Sequence, residues 1–452
     1  MIDIDNLRKN PELYKKQLAS GRGDSSKIDI DKWLKLDEER RGLIKESDDL
    51  KSELNIINRS LKGKPDEATL SKIQSLKLEI ENRKSKIENI SEKWQEILDW
   101  MPNLYLEEVP QGKGSEDNIE IKTWDPKDGY LSADKLGKEN HSGQYMKQRE
   151  FAVKPHWEIG KKLDIIDIEA GAKVSGSRFY YIKNEGALLI YAVFNLLMRR
   201  LIHEGFSPMI VPMLVKEKAL YGSSHFPGEV DQVYKIESKY LEGGEGLYLP
   251  GSSEPSNFAY FMDNVLDKKE IPVKIMAQTP CFRTEVGSWG KDVRGIKRTH
   301  QFDKLEMNMI IEADLDKARE MQEYLLSLNE WLLQELKIPY HVINMCVGDL
   351  GYNAAAKKYD IEVWLPSEKS YMEVMSNSIT TDFQTRRLNI KYKDKEGNLK
   401  FAYTLNDTGA THRLLIAIIE HYQNEDGSLT VPEALRDYVG KESIQLKENN
   451  LA

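Results

Sequence analysis

Residues 281–306 read CFRTEVGSWGKDVRGIKRTHQFDKLE. The stretch opens on Phe-Arg-Thr-Glu, passes through a loop holding Lys291, Arg294, Lys297 and Arg298, and closes on His-Gln-Phe with Glu306 four residues beyond the phenylalanine. A nucleotide site needs these parts. Arginine offers a planar fork of donors to phosphate or carboxylate oxygens. An aromatic ring offers a face on which a base can stack. A carboxylate accepts from an exocyclic amine.

The order of these parts, Arg-x-Glu, basic loop, aromatic, glutamate, resembles motif 2 of the class II aminoacyl-tRNA synthetases. The wording RGIKRTHQF resembles the seryl-tRNA synthetases within that class. Other matching pieces are HWEIGKKLDIIDIEAGAKVSGSRFYYIK at 156–183, GDLGYNAAAKKYDIEVWLP at 348–366 and TDFQTRRLNIKY at 381–392. A third class motif is matched by TLNDTGATHRLLIAIIEHYQ at 404–423, and a first by the segment through Gly205 and FSPMIVP, ending at Pro212. The resemblance runs over nearly the whole chain.

Composition is consistent with this. The chain has 452 residues, enough for two or three domains, with 31% charged and 40% hydrophobic residues, as in globular proteins. No run of 18 apolar residues is found, so no membrane span is expected. The N-terminus MIDIDNLRKNPELYKK lacks the apolar stretch of a signal peptide. Two cysteines, Cys281 and Cys346, are too few for a disulfide framework or a cysteine-based structural zinc site. A cytoplasmic location is expected. The net charge of −9 argues against indiscriminate nucleic-acid binding. Within 51–86, however, basic side chains outnumber acidic ones. That tract reads equally as an RNA contact or as a solvated helical face.

Residues 30–101 read as two long helices. Trp33, Leu36, Leu43, Leu50, Leu54, Ile57 and Leu61 keep a 3-4 spacing, with Arg40 and Ser47 in two polar slots. After Gly63-Lys64-Pro65 the spacing resumes through Ile73, Leu76, Ile80, Ile87, Ile90, Trp94, Ile97 and Met101, interrupted by Arg83. A sustained 3-4 repeat is a coiled-coil seam, and the short break makes the helices antiparallel neighbours. An arm of about 30 residues per helix reaches about 45 Å. Residues 1–29 are expected to cap its base. Strand candidates farther on (Gly246–Pro250, Val273–Ala277, Lys304–Met309, Tyr359–Leu365, Tyr371–Val374 and Ala402–Leu405) are not regularly separated by helices, which argues for an antiparallel sheet. The expected architecture is α+β: an antiparallel two-helix arm over 1–103, a linker over 104–155 with a surface insertion at 126–152, and a class II core of antiparallel sheet and flanking helices over 156–452.

The resemblance implies ATP-dependent joining of L-serine to serine tRNA, and to selenocysteine tRNA where that exists, through a seryl-adenylate. It implies a homodimer built on the first motif. It places Arg283 between the α-phosphate and the serine carboxylate, Glu285 on the adenine amine, and Phe302 and Arg413 on the two faces of adenine. Arg283 and Arg413 are thereby the catalytic pair. It assigns Glu373 and Ser376 to ATP and to Mg²⁺, for which hard oxygen ligands are suited. It assigns the substrate ammonium to Ser252 and Glu254, and the substrate hydroxyl to Glu306 and Thr408 with Asn406 close by. It gives the arm to tRNA, with Arg59, Lys62, Lys64, Lys72, Lys77 and Lys84 following the phosphate backbone; Arg83, in a seam slot, is the weaker candidate.

Four departures from the family pattern stand out. Ser252-Ser253-Glu254 replaces Thr-Ala-Glu. EVMSNSI carries Met375 and Ile379 where the family has serine and asparagine. Asn406 to Arg413 spans seven residues rather than eight. The segment 126–152 is longer than usual. Two competing readings are a synthetase-like paralogue with a binding or regulatory role, and a seryl-adenylate enzyme serving another acceptor. The intact set of site residues argues against the first, and the full arm against the second.

Overall fold

The protein is described from a computed structural model, which covers residues 1–61, 63–132, 135–136, 151–237, 246–287, 294–351 and 353–446. It divides into two units, residues 1–102 and 103–452.

The first unit is the helical arm. Helix α1 spans Ile30–Ser60 and α2 spans Glu67–Trp100. Each begins on an aspartate that accepts from a backbone N–H three residues on: Asp29 from Lys32 at 2.9 Å and Asp66 from Thr69 at 2.8 Å. Cross-helix pairs run in opposite directions along the two chains, Trp33 with Trp94, Arg40 with Ser91, Glu46 with Arg83 and Glu53 with Lys72, so the helices are antiparallel. The two seam arginines are thus satisfied: Arg40 also lies over the Trp94 ring at 4.9 Å, and Arg83 meets Glu46 at 3.1 Å. Two short helices, Ile4–Lys9 and Pro11–Ala19, close the base. There the buried Asp37 carboxylate takes hydrogen bonds from Arg8, Arg41 and Trp94. Burial would raise its pKa, but the Arg8 contacts outweigh that and hold it below the ordinary value.

The second unit is built on a nine-stranded sheet. In chain order its strands are β1 (Ile119–Asp125), β2 (Gly129–Tyr130), β3 (Ser207–Met209), β4 (Val273–Phe282), β5 (Gln301–Ile311), β6 (Tyr340–Asn344), β7 (Lys357–Leu365), β8 (Ser370–Thr381) and β9 (Tyr403–Thr411). Across the sheet the order is β2-β1-β6-β7-β8-β9-β5-β4-β3. Every pairing is antiparallel except β3 with β4. The segment expected as a linker is therefore in part sheet, since β1 and β2 form its edge; most of 126–152 lies outside the described residues. The expected strand Gly246–Pro250 forms as Leu247–Leu249 in a separate three-stranded sheet. β6 was not anticipated.

Helices α3 (Glu185–His203), α4 (Leu315–Glu335) and α5 (Arg413–Tyr422) bury their apolar faces in one core with the inner strand residues. By length and composition α3 alone among the described helices could cross a membrane. It is a core helix instead: Leu189, Val193, Phe194, Leu197 and Leu201 are at most 1% exposed. The departures Met375 and Ile379 point into this same core and are fully buried. They fill the apolar side of β8, away from the polar face described next.

Candidate active site

The other face of the sheet is polar where β4, β5, β8 and β9 meet. Along β5 the alternation of a strand puts Phe302, Lys304, Glu306 and Asn308 on one face. Arg283 directly follows β4; its N–H donates to His300 O at 3.0 Å and its guanidinium lies 5.4 Å from the Phe302 ring centre. Glu285 sits nearby with Arg178 and Arg298 at 3.7 and 3.9 Å.

Two bulges shape this face. On β8, Ile361 pairs with Met375 but Glu362 with Glu373, leaving Val374 as the extra residue. Without it Glu373 and Ser376, three apart, would point to opposite faces; the bulge brings both to the polar side. On β9, Leu305 pairs with Ala410 but Glu306 with Thr408, leaving Gly409 as the extra residue. A Cβ at Gly409 would lie 2.9 Å from Leu197 and 3.0 Å from Leu305, so the bulge fits only a small residue. Thr408 thus stands opposite Glu306 despite the shortened third motif.

A cavity joins these groups. Its walls include Arg283, Glu285, Phe302, Glu373, Ser376, Thr408 and Arg413, with Lys297, Arg298 and Lys304. Arg413, the first residue of α5, donates to Glu373 O at 2.7 Å, to Glu373 Oε2 at 3.4 Å and to Lys297 O at 3.2 Å. Burial would raise the Glu373 carboxyl, but Arg413 and Lys358 outweigh that and hold it below the ordinary value. It is therefore ionised at neutral pH and suited to a cation.

At the inner end lies a second group of polar side chains. Ser252 Oγ accepts from Glu254 N and from Lys304 Nζ, each at 3.2 Å. Lys304 Nζ also meets Glu306 Oε2 at 2.5 Å. Glu254 Oε1 accepts from Asn406 at 2.6 Å and from Gln384 at 2.7 Å. Burial raises the Glu254 carboxyl, and Glu306 adds to it, to about 7. Burial also raises Glu306, against the opposing pull of Lys304. Ser252, Glu254, Glu306, Asn406 and Thr408 are all buried. A small ligand carrying one positive charge and a hydroxyl would find both a carboxylate and a paired polar wall here.

Every residue expected at this site is accordingly brought to one face of one sheet. Lys304 and Gln384 were not anticipated. Strand parity with Phe302 and Glu306 could have found Lys304; nothing local marks Gln384. Of the arm residues, Lys72 pairs with Glu53 at 2.8 Å and Lys84 lies 3.9 Å from Glu81. Arg59, Lys64 and Lys77 are exposed. Lys62 lies outside the described residues, as does Lys291 of the basic loop.

Known proteins share the sequence and the fold of this chain. A family model described as the tRNA synthetase class II core domain (G, H, P, S and T) matches residues 234–422, and one described as the seryl-tRNA synthetase N-terminal domain matches residues 1–105. The serine–tRNA ligase of Dictyoglomus turgidum is 37% identical over 453 aligned positions, covering 99% of this chain and all of that one. The crystal structure of seryl-tRNA synthetase from Pyrococcus horikoshii complexed with ATP matches with a TM-score of 0.85 and 36% identity, over 99% of this chain and 100% of that one. That of the cytoplasmic serine–tRNA ligase from Naegleria fowleri in complex with AMP matches with a TM-score of 0.80 and 29% identity, over 99% of both chains.

Proposed function

The chain belongs to the seryl-tRNA synthetase family, and we propose that it attaches L-serine to serine tRNA in two steps at the site just described. In the first, a serine carboxylate oxygen attacks the α-phosphorus of ATP, forming seryl-adenylate and releasing pyrophosphate. In the second, a ribose hydroxyl at the 3′ end of the tRNA attacks the seryl carbonyl and AMP leaves. Selenocysteine tRNA, where it exists, is a second acceptor on the same reading.

The observation that carries this is the continuity of two unlike ends on one sheet face. One end is cationic and aromatic (Arg283, Arg298, Phe302, Arg413); the other holds two buried carboxylates, Glu254 and Glu306. Adenylate formation asks for in-line alignment and neutralisation of phosphate charge more than for an acid or base. Arg283 bridges the α-phosphate and the serine carboxylate. Phe302 and Arg413 sandwich adenine, and Glu285 accepts from its amine. Glu254, with Ser252 beside it, takes the serine ammonium. Glu306 and Thr408 read the hydroxyl, with Asn406 holding Glu254; alanine or glycine would leave these buried polar groups unpaired.

Mg²⁺ fits Glu373 and Ser376. The Val374 bulge brings one carboxylate and one hydroxyl to the phosphate end, and such an ion commonly takes only one or two protein oxygens, the rest coming from phosphates and water. When bound it would neutralise phosphate charge. The protein acts as a homodimer through the outer face of α3 and the chain after β3, supported by the exposed Leu188, Tyr191, Ile202 and Ile210, the last wholly exposed. The arm binds tRNA through Arg59, Lys64, Lys72, Lys77 and Lys84, with Lys62 assigned by sequence alone. The test is serine-dependent pyrophosphate exchange followed by charging of total tRNA.

A further inference from the structure

Both polar backbone groups of one buried residue, Ile296, are held by two histidines from distant parts of the chain. Ile296 N–H donates to His156 Nε2 at 3.1 Å, and His412 Nε2 lies 2.7 Å from Ile296 O. Ile296 and His156 are fully buried and His412 is 3% exposed. The two rings must hold opposite tautomers. His156 accepts at Nε2, so its proton sits on Nδ1, which faces Glu420 Oε1 at 3.6 Å. His412 must donate from Nε2 to a carbonyl, so its Nδ1 is bare. Burial and the adjacent Arg413 push His412 down to about 3, in keeping with a neutral ring.

The surroundings are fitted to this contact. Gly295 has φ +80°, and a Cβ there would fall 2.2 Å from His156 Nε2. Glu420 of α5 accepts from His156 N at 3.4 Å and from Ser367 N and Oγ at 3.1 and 2.8 Å, fixing the element that carries His156. The His412 ring stacks on Tyr180 with centres 5.7 Å apart and tilts against Phe302 at 5.5 Å. On the far side of Ile296, Lys297 O accepts from Arg413 Nε. Ile296 is therefore linked through His412 to Phe302, and through its neighbour Lys297 to Arg413, two of the groups assigned to adenine.

We infer that His156 and His412 are positioning residues for the nucleotide half of the site: together they pin Ile296 and so fix the run from Arg294 to Arg298 against Phe302 and Arg413. His156 stands outside the cavity lining, and His412 forms part of its wall beside Phe302; both act through Ile296. The inference rests on the proposed ATP site and says which part of it they control. Losing either hydrogen bond frees one end of a single peptide segment, so ATP binding weakens while the serine pocket, built on β5, β9 and Gln384, is untouched.

The test uses the full-length enzyme in serine-dependent pyrophosphate exchange, with melting temperature measured alongside. His156→Phe and His412→Phe keep a ring but remove the acceptor and the donor. Each should raise the KM for ATP about ten-fold and leave the KM for serine within about two-fold. Glutamine offers both an acceptor and a donor, so His156→Gln and His412→Gln should recover most of the ATP affinity. The double phenylalanine variant should be little worse than the worse single one, because both act on one residue. Hydrogen exchange at the Ile296 amide needs no variant and should be slow in the wild-type protein. An unchanged ATP KM, an equal rise in both KM values without rescue by glutamine, or rapid exchange at Ile296 would overturn the inference. Absence of serine-dependent exchange in the wild-type protein would instead overturn the parent assignment.

Discussion

Lys304 Nζ stands 2.5 Å from Glu306 Oε2, with both side chains more than nine-tenths buried and Ser252 Oγ as the lysine's second partner. The pair spans the two halves of the proposed serine pocket. Removing one member of a buried ion pair leaves the other charge uncompensated, at about 3 kcal/mol or more. Lys304→Met should therefore lower the melting temperature and abolish serine activation. A second change, Glu306→Leu, should restore stability without restoring activity. If Lys304→Met activates serine normally, the pocket has been misread.

Arg283 is the one group assigned to both reactants. Arg283→Ala leaves the α-phosphate and carboxylate without their shared fork, a loss of about 3 kcal/mol or more in the transition state. Pyrophosphate exchange should fall by about two orders of magnitude or more. Near-normal exchange would mean that the stretch 281–306 does not bind ATP in the way argued.

Glu254 makes serine binding depend on pH. Its carboxyl is raised from 4.5 to about 7 in the fold, so the folded state favours the protonated form. Its contribution to stability is thus full below about pH 4.5 and is lost as pH rises through about 7. The substrate ammonium favours the opposite, ionised form. Serine should bind more tightly as pH rises from 6 to 8, and binding near pH 7 should release a proton. Calorimetry in two buffers of different ionisation enthalpy checks this. Glu254→Gln should bind weakly and release none. Proton-neutral, pH-independent binding by the wild-type protein would contradict it.

The arm should govern tRNA use and not activation. Deleting residues 36–97 should leave pyrophosphate exchange largely intact and remove efficient charging. Replacing Arg59, Lys64 and Lys77 with glutamine should weaken charging and flatten its salt dependence, since each phosphate contact releases counterions. Normal charging by the armless protein would remove the arm from tRNA recognition.

Much of this could be read from residue order alone, and what could not has physical causes. The arm was legible because one 3-4 repeat fixes its face, and Arg40 and Arg83 keep the repeat by finding partners across it. β1 was hidden because a sheet-edge strand with Glu120 and Lys122 carries little apolar signal, and β6 because it is only five residues long. Glu373 and Ser376 were identified by motif, but their shared face depends on the unpaired Val374, a property of the pairing with β7. Gln384 and His156 act on partners more than 100 residues away in sequence. No local pattern marks either.

The central claim is a serine-specific adenylate passed to serine tRNA. Its most direct test is pyrophosphate exchange by the full-length protein with each amino acid in turn, followed by charging of total tRNA with the one that responds. Exchange with serine alone, and serine recovered on serine tRNA, is the predicted result. Exchange driven by another amino acid, or by none, would contradict the account.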